Sequence, residues 1–290
     1  MVDHSTAPEG PGERDRRLAL VADMKYELVP LRSVDVAVAA LPPASPVSIT
    51  CSPVRGIDAT MQLTDHVRSL GHTAVPHLSA RMVEGPDHAH RIARWLRTEA
   101  VGHAFLVGGD IESPAGPYHD ATHFLRALLD AGPELTSIGV TAYPDGHPFI
   151  DDAALRQALH GKQSILSEAG IACYAVTQMC FDPATVTQWL TTEREAGLTL
   201  PVHLGLAGVV DRKKLMTMGV RLGVGTSLRY LRKNRSAVGR LLTTSRFDPN
   251  TLLEPLSRSL DALDIAGLHC FTFNQVASTV SWQRATLDQR

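Results

Sequence analysis

Polar side chains recur at or near the ends of apolar, strand-like runs in this chain. They are Glu27, Thr50, His77, Asp110, Tyr143, Gln178 and Asn274. Subtracting neighbouring positions from Glu27 to Gln178 gives steps of 23, 27, 33, 33 and 35 residues, which is the length of one strand–helix unit. Because the carboxyl ends of parallel strands meet at one rim of a barrel, we expect these side chains to converge on one site.

Two carboxylates in this set could carry acid–base and electrostatic chemistry. Glu27 lies between Tyr26 and Leu28 in the first run, where burial would raise the pKa of its carboxyl and suit it to general acid catalysis. The alternative is an ion pair with an Arg or Lys at the barrel end. Asp110 follows two glycines in LVGGD, which would let the backbone approach a ligand closely. The alternative for Asp110 is a helix cap or an Asx turn.

Gln178 and His77 have side chains that could contact a flat heterocycle. Gln178, in VTQMCFD, offers both a donor and an acceptor, although a buried amide bonded to the backbone is the alternative. His77 follows Pro76, and no HExxH or other metal-ligand spacing surrounds it. We therefore interpret His77 as a donor to a backbone carbonyl or a planar ligand, and we predict no metal site.

The other polar candidates carry weaker signals. Tyr143 and His147 lie in AYPDGHP, a turn-forming loop that would line or close the rim. For Thr50 and Asn274 we favour structural roles on pattern alone.

A basic run follows the seventh apolar run. It consists of Arg212, Lys213, Lys214, Arg229, Arg232, Lys233 and Arg235. Most such runs are solvated helix faces. This one lies where many barrels bind anions, so a polycarboxylate or phosphate partner is the alternative.

Eight apolar runs typical of buried parallel strands alternate with helical segments. They are KYELVP, PVSITC, TAVPHLS, HAFLVGG, SIGVTAYP, CYAVTQMC, PVHLGLAG and LHCFTFN. The alternation predicts an α/β protein with a (β/α)8 TIM barrel as a single domain over 18–290, with an open parallel sheet as the alternative. The polar stretch 1–17 predicts a disordered leader. The roughly 60 residues between the last two runs predict extra helices, among them one long, capped amphipathic helix over FDPNTLLEPLSRSLDALDIAG.

The composition excludes several classes of function. A net charge of −2 lacks the excess of positive charge that is typical of proteins that bind nucleic acid or an anionic membrane. No apolar run reaches the roughly 18 residues that a transmembrane helix needs. The four cysteines form no CxxC pair, and we expect reduced thiols and a cytoplasmic protein.

Seven motifs, in order along the chain, resemble the methylenetetrahydrofolate reductase family. YELVP resembles the family's FEFFPP, SITC its SVTY, and PHLSA its PHLTC. LVGGD resembles LRGD, GVTAYPDGHP resembles GVAGYPEGHP, and VTQMCFD resembles ITQFFFD. The last run, LHCFTFN, resembles HFYTLN. The matches span about residues 24 to 285, and their common order makes the resemblance specific.

The resemblance implies reduction of 5,10-methylenetetrahydrofolate to 5-methyltetrahydrofolate. Glu27 would protonate the leaving nitrogen of the cyclic aminal, and Asp110 would stabilise the resulting iminium cation. Gln178 would pair with the pterin edge, with Asn274 also at the substrate. The residues implied at the cofactor are Thr50, His77, Tyr118, Tyr143 and His147.

The sequence departs from the family where the family holds FAD. Gly108 replaces the arginine of LRGD, and the fifth helix reads ALRQALHGKQ instead of carrying the acidic and Asn residues of the flavin site. The lysine of that helix is replaced by Ser164, with Lys162 two positions away. We therefore expect NADH to deliver hydride directly to the folate.

Three alternatives to this interpretation remain. The first is FAD- or deazaflavin-dependent reduction of a methylene-pterin on the same barrel. The second is a folate-binding partner subunit without catalytic activity. The third is an unrelated barrel whose rim residues match by chance. The sequence also leaves open NADH against NADPH, the physiological direction, and whether the chain forms a homo-oligomer.

Overall fold

Eight parallel strands, each hydrogen-bonded to the next and the last to the first, form a closed barrel. The computed structural model describes residues 9–212, 214, 215, 217 and 246–288. The strands are β1 (Lys25–Leu28), β2 (Pro46–Ile49), β3 (Thr73–Ser79), β4 (His103–Val107), β5 (Ser137–Ala142), β6 (Ala172–Thr177), β7 (Val202–Ala207) and β8 (Ile265–Phe271). The predicted (β/α)8 barrel is confirmed.

Helices cover the outside of the barrel and follow the strands in turn. In the described residues they are α1 (Pro11–Ala22), α2 (Val34–Ala39), α3 (Gly56–Ser69), α4 (Pro86–Thr98), α5 (Ala121–Asp130), α6 (Asp152–Glu168), α7 (Pro183–Glu195), α8 (Asn250–Leu256) and α9 (Val276–Leu287). Two short 3-10 helices, Ala80–Met82 and Ser257–Ser259, join them. No helix within these ranges has the length and apolar character needed to cross a bilayer.

Side-chain caps fix where several helices begin, as the sequence indicates. Asp120 accepts a hydrogen bond from the backbone N–H of His123 at the start of α5. Asp182 accepts one from the N–H of Ala184, and Pro183 occupies the first turn of α7. These carboxylates satisfy N–H groups that have no partner within the helix.

Two predictions about the ends of the barrel need correction. The predicted disordered leader 1–17 is wrong for 11–17, which lie in α1, where Leu18 and Val21 are buried. Residues 1–8 lie outside the described residues. The predicted long helix before the last strand is also wrong, because α8 ends at Leu256. The chain continues after Leu256 as the 3-10 helix Ser257–Ser259. Pro255 lies inside α8 and lacks the N–H that would bond to the carbonyl four residues earlier, which weakens this last turn.

The interior of the barrel has its own packing, separate from the layer between sheet and helices. Val75, Phe105 and Val176 form a small buried cluster, distinct from the large cluster that contains Tyr26 and Leu28. Successive residues of a strand point to opposite faces. Residues adjacent to Tyr26 and Leu28 on β1 therefore point into the barrel.

We predict that the barrel wall tolerates no side chain at Gly205. A Cβ there would lie 2.0 Å from the carbonyl oxygen of Thr177 and 2.9 Å from a ring carbon of Phe271. Gly205→Ala should lower the free energy of unfolding by at least about 2 kcal/mol, because backbone must move. Urea denaturation measures this effect.

Gly161 in α6 is the matched control, since nothing lies within 4 Å of its added Cβ. Gly161→Ala should raise the free energy of unfolding by roughly 0.5 to 1 kcal/mol. Equal effects of the two substitutions would contradict the prediction.

Candidate active site

Glu27 is a carboxylate buried inside the barrel. Its side chain points inward from β1, and only 7% of the residue is exposed. The Thr272 hydroxyl donates to the Glu27 carbonyl at 2.5 Å, which ties β1 to the segment after β8. The interior of such a barrel is normally filled by branched apolar side chains, so a buried carboxylate here is a candidate for function.

Two histidines and a serine surround this carboxyl group. His269 Nε2 lies 3.0 Å from Glu27 Oε2, and His77 Nε2 lies 3.9 Å from the same oxygen. Ser48 Oγ lies 2.6 Å from His77 Nε2. We call Glu27, His77, His269 and Ser48 the interior polar cluster.

Burial controls the protonation of this cluster. It raises the pKa of Glu27 to about 7, and nearby His77 only partly opposes this. Burial also lowers the pKa of both His77 and His269 to about 3. The Phe105 ring, 4.6 Å from that of His77 and 6.1 Å from that of His269, forms an apolar wall. At neutral pH both imidazoles are therefore neutral, and Glu27 is in part a carboxylic acid.

The cluster is suited to holding and delivering one proton. A carboxyl with a pKa near the working pH is an effective general acid. A neutral imidazole at 3.0 Å can donate to the carboxylate or accept from the carboxylic acid. Since His269 occupies Oε2, the other oxygen of Glu27 is the one left for a substrate.

The same atoms could also be considered as metal ligands. Glu27, His77 and His269 offer three donor atoms within 4.8 Å of one another, and imidazole with carboxylate suits several divalent metals. However, His77 Nε2 already contacts Ser48 Oγ, and His269 Nε2 already contacts Glu27. These contacts link the cluster through hydrogen bonds along which a proton can be shared.

Asp110, Tyr143 and His147 come together at the loops that follow β4 and β5. Asp110 is exposed, on a loop where Gly109 has φ +100°. Burial raises the pKa of Tyr143, and the Asp110 charge adds to the effect. Burial lowers the pKa of His147, against the opposing effect of Asp110. The Tyr143 and His147 ring centroids lie 5.3 Å apart.

Gln178 and Asn274 use their amide groups differently. Gln178 Oε1 accepts from the N–H of Met179 at 2.8 Å, and its amide nitrogen has no partner among the described residues. Asn274 Oδ1 accepts from the Val29 N–H at 2.9 Å, and its amide nitrogen donates to the Val29 carbonyl and to Ser33 Oγ. Asn274 therefore holds the loop after β1, in line with a structural role, whereas Gln178 retains a free donor.

Thr50 and Tyr118 lie in contrasting surroundings. Thr50 Oγ1 is buried and has no hydrogen-bond partner among the described residues, which leaves it able to bind a ligand atom. Tyr118 is 3% exposed and packs edge-on against His123 and Phe124. Its ring belongs to the main hydrophobic core, so it lies behind the rim.

Sequence reasoning overlooked three polar residues of the barrel interior. Ser48 and His269 had no assigned role, although each lies in an inward-facing register. Lys25 lies two positions before Glu27, and its Nζ is 3.2 Å from the Tyr174 hydroxyl. Burial lowers the pKa of Lys25 to about 8. One feature of the sequence could have identified Lys25: it lies two positions from Glu27, and alternate residues of a strand point to the same face.

The basic run is only partly within the described residues. Lys214 Nζ donates to the Phe273 carbonyl at 3.0 Å, and Arg212 begins the segment. Lys213 and the cluster from Arg229 to Arg235 lie outside the described residues.

A pocket of about 440 Å³ lies beside the rim between α5, α6 and α7. It extends from Gly108 and Tyr143 to Lys162, and no member of the interior polar cluster lines it. Lys162 is 4% exposed and makes no hydrogen bond with the described residues. Burial lowers its pKa to about 8, although the Cys173 and Asp120 charges oppose this.

No known family profile matches the chain. It is similar to the solved structure of Yersinia pestis DHPS with a pterine-sulfa conjugate (11% identity, TM-score 0.46, 93% of this chain and 95% of that one). It is also similar to a putative phosphonomutase from Burkholderia cenocepacia (14%, 0.43, 79% and 99%). A third similar structure is the Paramecium bursaria Chlorella virus arginine decarboxylase (8%, 0.47, 91% and 62%). At these scores the similarities carry no argument about function.

The raised pKa of Glu27 predicts a specific pH dependence of stability. The unfolded carboxyl ionises at its ordinary value of 4.5, and the folded one at about 7. Its contribution to stability is therefore full below pH 4.5 and is lost as pH rises through 7. Glu27→Gln removes this loss.

The wild-type free energy of unfolding should therefore fall relative to Glu27→Gln by about 2 to 3 kcal/mol between pH 5 and pH 8. The two histidines are present in both proteins, so their contributions largely cancel in the difference. Urea denaturation at several pH values measures it. A difference that stays constant with pH would show that Glu27 ionises normally.

Proposed function

We propose that the protein is a methylenetetrahydrofolate reductase that transfers hydride from NADH to 5,10-methylenetetrahydrofolate. The observation that carries the proposal is the buried Glu27 carboxyl, whose pKa of about 7 lets it act as an acid at neutral pH. The ordered motif resemblance supports the choice of substrate. The same resemblance assigns the remaining roles to Asp110 and Gln178.

Ring opening of the cyclic aminal is the step that needs an acid. Glu27 donates a proton to the leaving nitrogen as the bond from that nitrogen to the methylene carbon breaks. The electron pair of the broken bond takes that proton, and the other nitrogen forms an iminium cation. Glu27 is left as a carboxylate, which His269 Nε2 can stabilise by donating at 3.0 Å.

Reduction completes the reaction at the methylene carbon. The Asp110 carboxylate stabilises the iminium cation electrostatically. The free amide donor of Gln178 pairs with an acceptor on the pterin edge. The methylene carbon then accepts hydride from the reduced nicotinamide, which yields the 5-methyl product and the oxidised nucleotide.

In our proposal the pocket beside the rim is where the nucleotide binds and leaves in each turnover. Its lining includes the carboxylates Asp120, Asp145, Asp152 and Glu193. It also includes Arg156 and Lys162, and Arg156 pairs with Glu193 at 2.8 Å. Lys162 is thus the cation best placed for a phosphate. In our proposal the adenosine end occupies this pocket, and the nicotinamide reaches the barrel mouth past Gly108.

The same lining fits a resident FAD poorly. A permanently bound dinucleotide needs several cationic or N–H groups against its two phosphates. Carboxylates outnumber cations in this pocket. The arginine of the family's LRGD motif is replaced by Gly108 in this chain. The proposed reaction therefore needs no flavin.

Replacement of Glu27 tests the acid. Glu27→Gln should lower kcat by at least about 100-fold, because the amide cannot protonate nitrogen. The dissociation constant for 5-methyltetrahydrofolate, measured by calorimetry, should change less than about 3-fold. Glu13→Gln in α1 is the matched control and should keep wild-type activity. Wild-type turnover by Glu27→Gln would disprove the assignment, and folate binding without turnover in the wild type would favour a partner subunit.

Replacement of Lys162 tests the hydride donor. Lys162→Met keeps an unbranched side chain but removes the charge, so the KM for NADH should rise about 10-fold or more. The KM for methylenetetrahydrofolate should be unchanged, and steady-state assays with each substrate varied separate the two values.

The absorbance spectrum of the purified protein serves as the companion measurement. We expect no stoichiometric band near about 450 nm, where a flavin absorbs. Such a band, or turnover with reduced deazaflavin and none with NADH or NADPH, would contradict direct transfer from a nicotinamide.

A further inference from the structure

The loop between β4 and α5 carries Asp110 but has no helix or strand of its own. It runs over 108–119. Asp110 is exposed on this loop, so β4 alone cannot set the position of its carboxylate. Something outside the loop must hold it in place.

Arg81 makes five hydrogen bonds to this loop. Its guanidinium donates to three backbone carbonyls: Nε to Ile111 at 2.8 Å, Nη1 to His119 at 3.3 Å, and Nη2 to Glu112. Its own N–H donates to the Gly108 carbonyl at 2.9 Å, and its carbonyl accepts from the Ala115 N–H at 2.8 Å. The contacts extend from one end of the loop to the other.

Arg81 is well placed to restrain the loop, because both its backbone and its guanidinium are rigid. Arg81 lies in the 3-10 helix directly after β3, so its backbone is fixed by the barrel. A guanidinium is planar and has five N–H donors in a rigid fork. In the described residues Arg81 forms no ion pair with a carboxylate, and its charge is directed to the loop carbonyls.

Two close approaches show that the loop is packed against the segment that contains Arg81. A Cβ at Gly109 would lie 2.1 Å from Ser79 Oγ, and one at Gly116 would lie 2.3 Å from the Glu84 carbonyl oxygen. The loop therefore contacts the chain on both sides of Arg81, and the guanidinium binds the carbonyls in between.

We propose that Arg81 is a positioning residue that holds the 108–119 loop so that Asp110 faces the reacting cation. The role of Asp110 rests on the proposed function, whereas the bracing of the loop does not. A displacement of about 1 Å can cost about 100-fold in rate. If Asp110 stabilises only the cation formed after ring opening, loss of Arg81 lowers kcat and leaves KM for the folate unchanged.

Arg81→Ala and Arg81→Lys test the kinetic part of this inference. We expect kcat to fall about 10- to 100-fold in Arg81→Ala, with less than about a 3-fold change in KM for methylenetetrahydrofolate. Arg81→Lys should recover only part of the loss, because an ammonium lacks the fork. Millimolar guanidinium should restore kcat in Arg81→Ala, and methylammonium at the same concentration should not.

Proteolysis tests the bracing without reference to activity. Glu112 lies in the loop, so a glutamyl endopeptidase should cut after Glu112 in Arg81→Ala and leave the wild type intact there. Guanidinium should restore protection. If Arg81→Ala fails to fold, Arg81→Lys supplies the same comparison.

The two proposals can fail separately. Wild-type kcat and protection at Glu112 in both variants would overturn the role of Arg81. Cleavage at Glu112 with unchanged kcat would overturn the link to Asp110. Loop protection that depends on Arg81 in a protein without reductase activity would support the bracing and count against the proposed function.

Discussion

The candidate site is arranged around one carboxyl group, that of Glu27, which is buried inside the barrel. Removing Glu27 from water disfavours its ionised form and makes it an acid near neutral pH. The same burial keeps His77 and His269 neutral, so the cluster contains partners that can share a proton without adding charge. Burying polar groups costs free energy unless they are hydrogen-bonded, and our proposal gives this polar layer the role of proton donor.

Around this fixed centre, the structure places the other functional groups on loops. The interior polar cluster sits on β1, β2, β3 and β8, whereas Asp110 and Tyr143 follow strand ends. Loops need external support, and the structure supplies it: Arg81 spans the loop after β4, and Asn274 holds the loop after β1. The pocket between α5, α6 and α7 lies beside the rim, away from the interior polar cluster. The structure thus combines a buried carboxyl group with a braced loop and a separate outer pocket.

Much of the fold could be predicted because it depends on local patterns. Apolar runs separated by capped helices specify strands and helices with little help from distant residues. The predictions that were wrong concern segments whose structure depends on contacts elsewhere. Residues 11–17 are mostly polar, yet they form the first turns of α1, whose later residues Leu18, Leu20 and Val21 are buried. α8 ends at Leu256, although the amphipathic pattern continues beyond it.

The amino-acid sequence was enough to predict the number of strands and the position of Glu27 in the first strand, since both follow from alternation along a short stretch. It also indicated Asp110 and Gln178 as strand-end candidates, whose roles remain proposals. The partner of Glu27, in contrast, depends on long-range contacts. His269 is 242 positions away, and no local pattern can pair them. Closure of the barrel joins β8 to β1, and it is this closure that brings the imidazole within 3.0 Å of the acid.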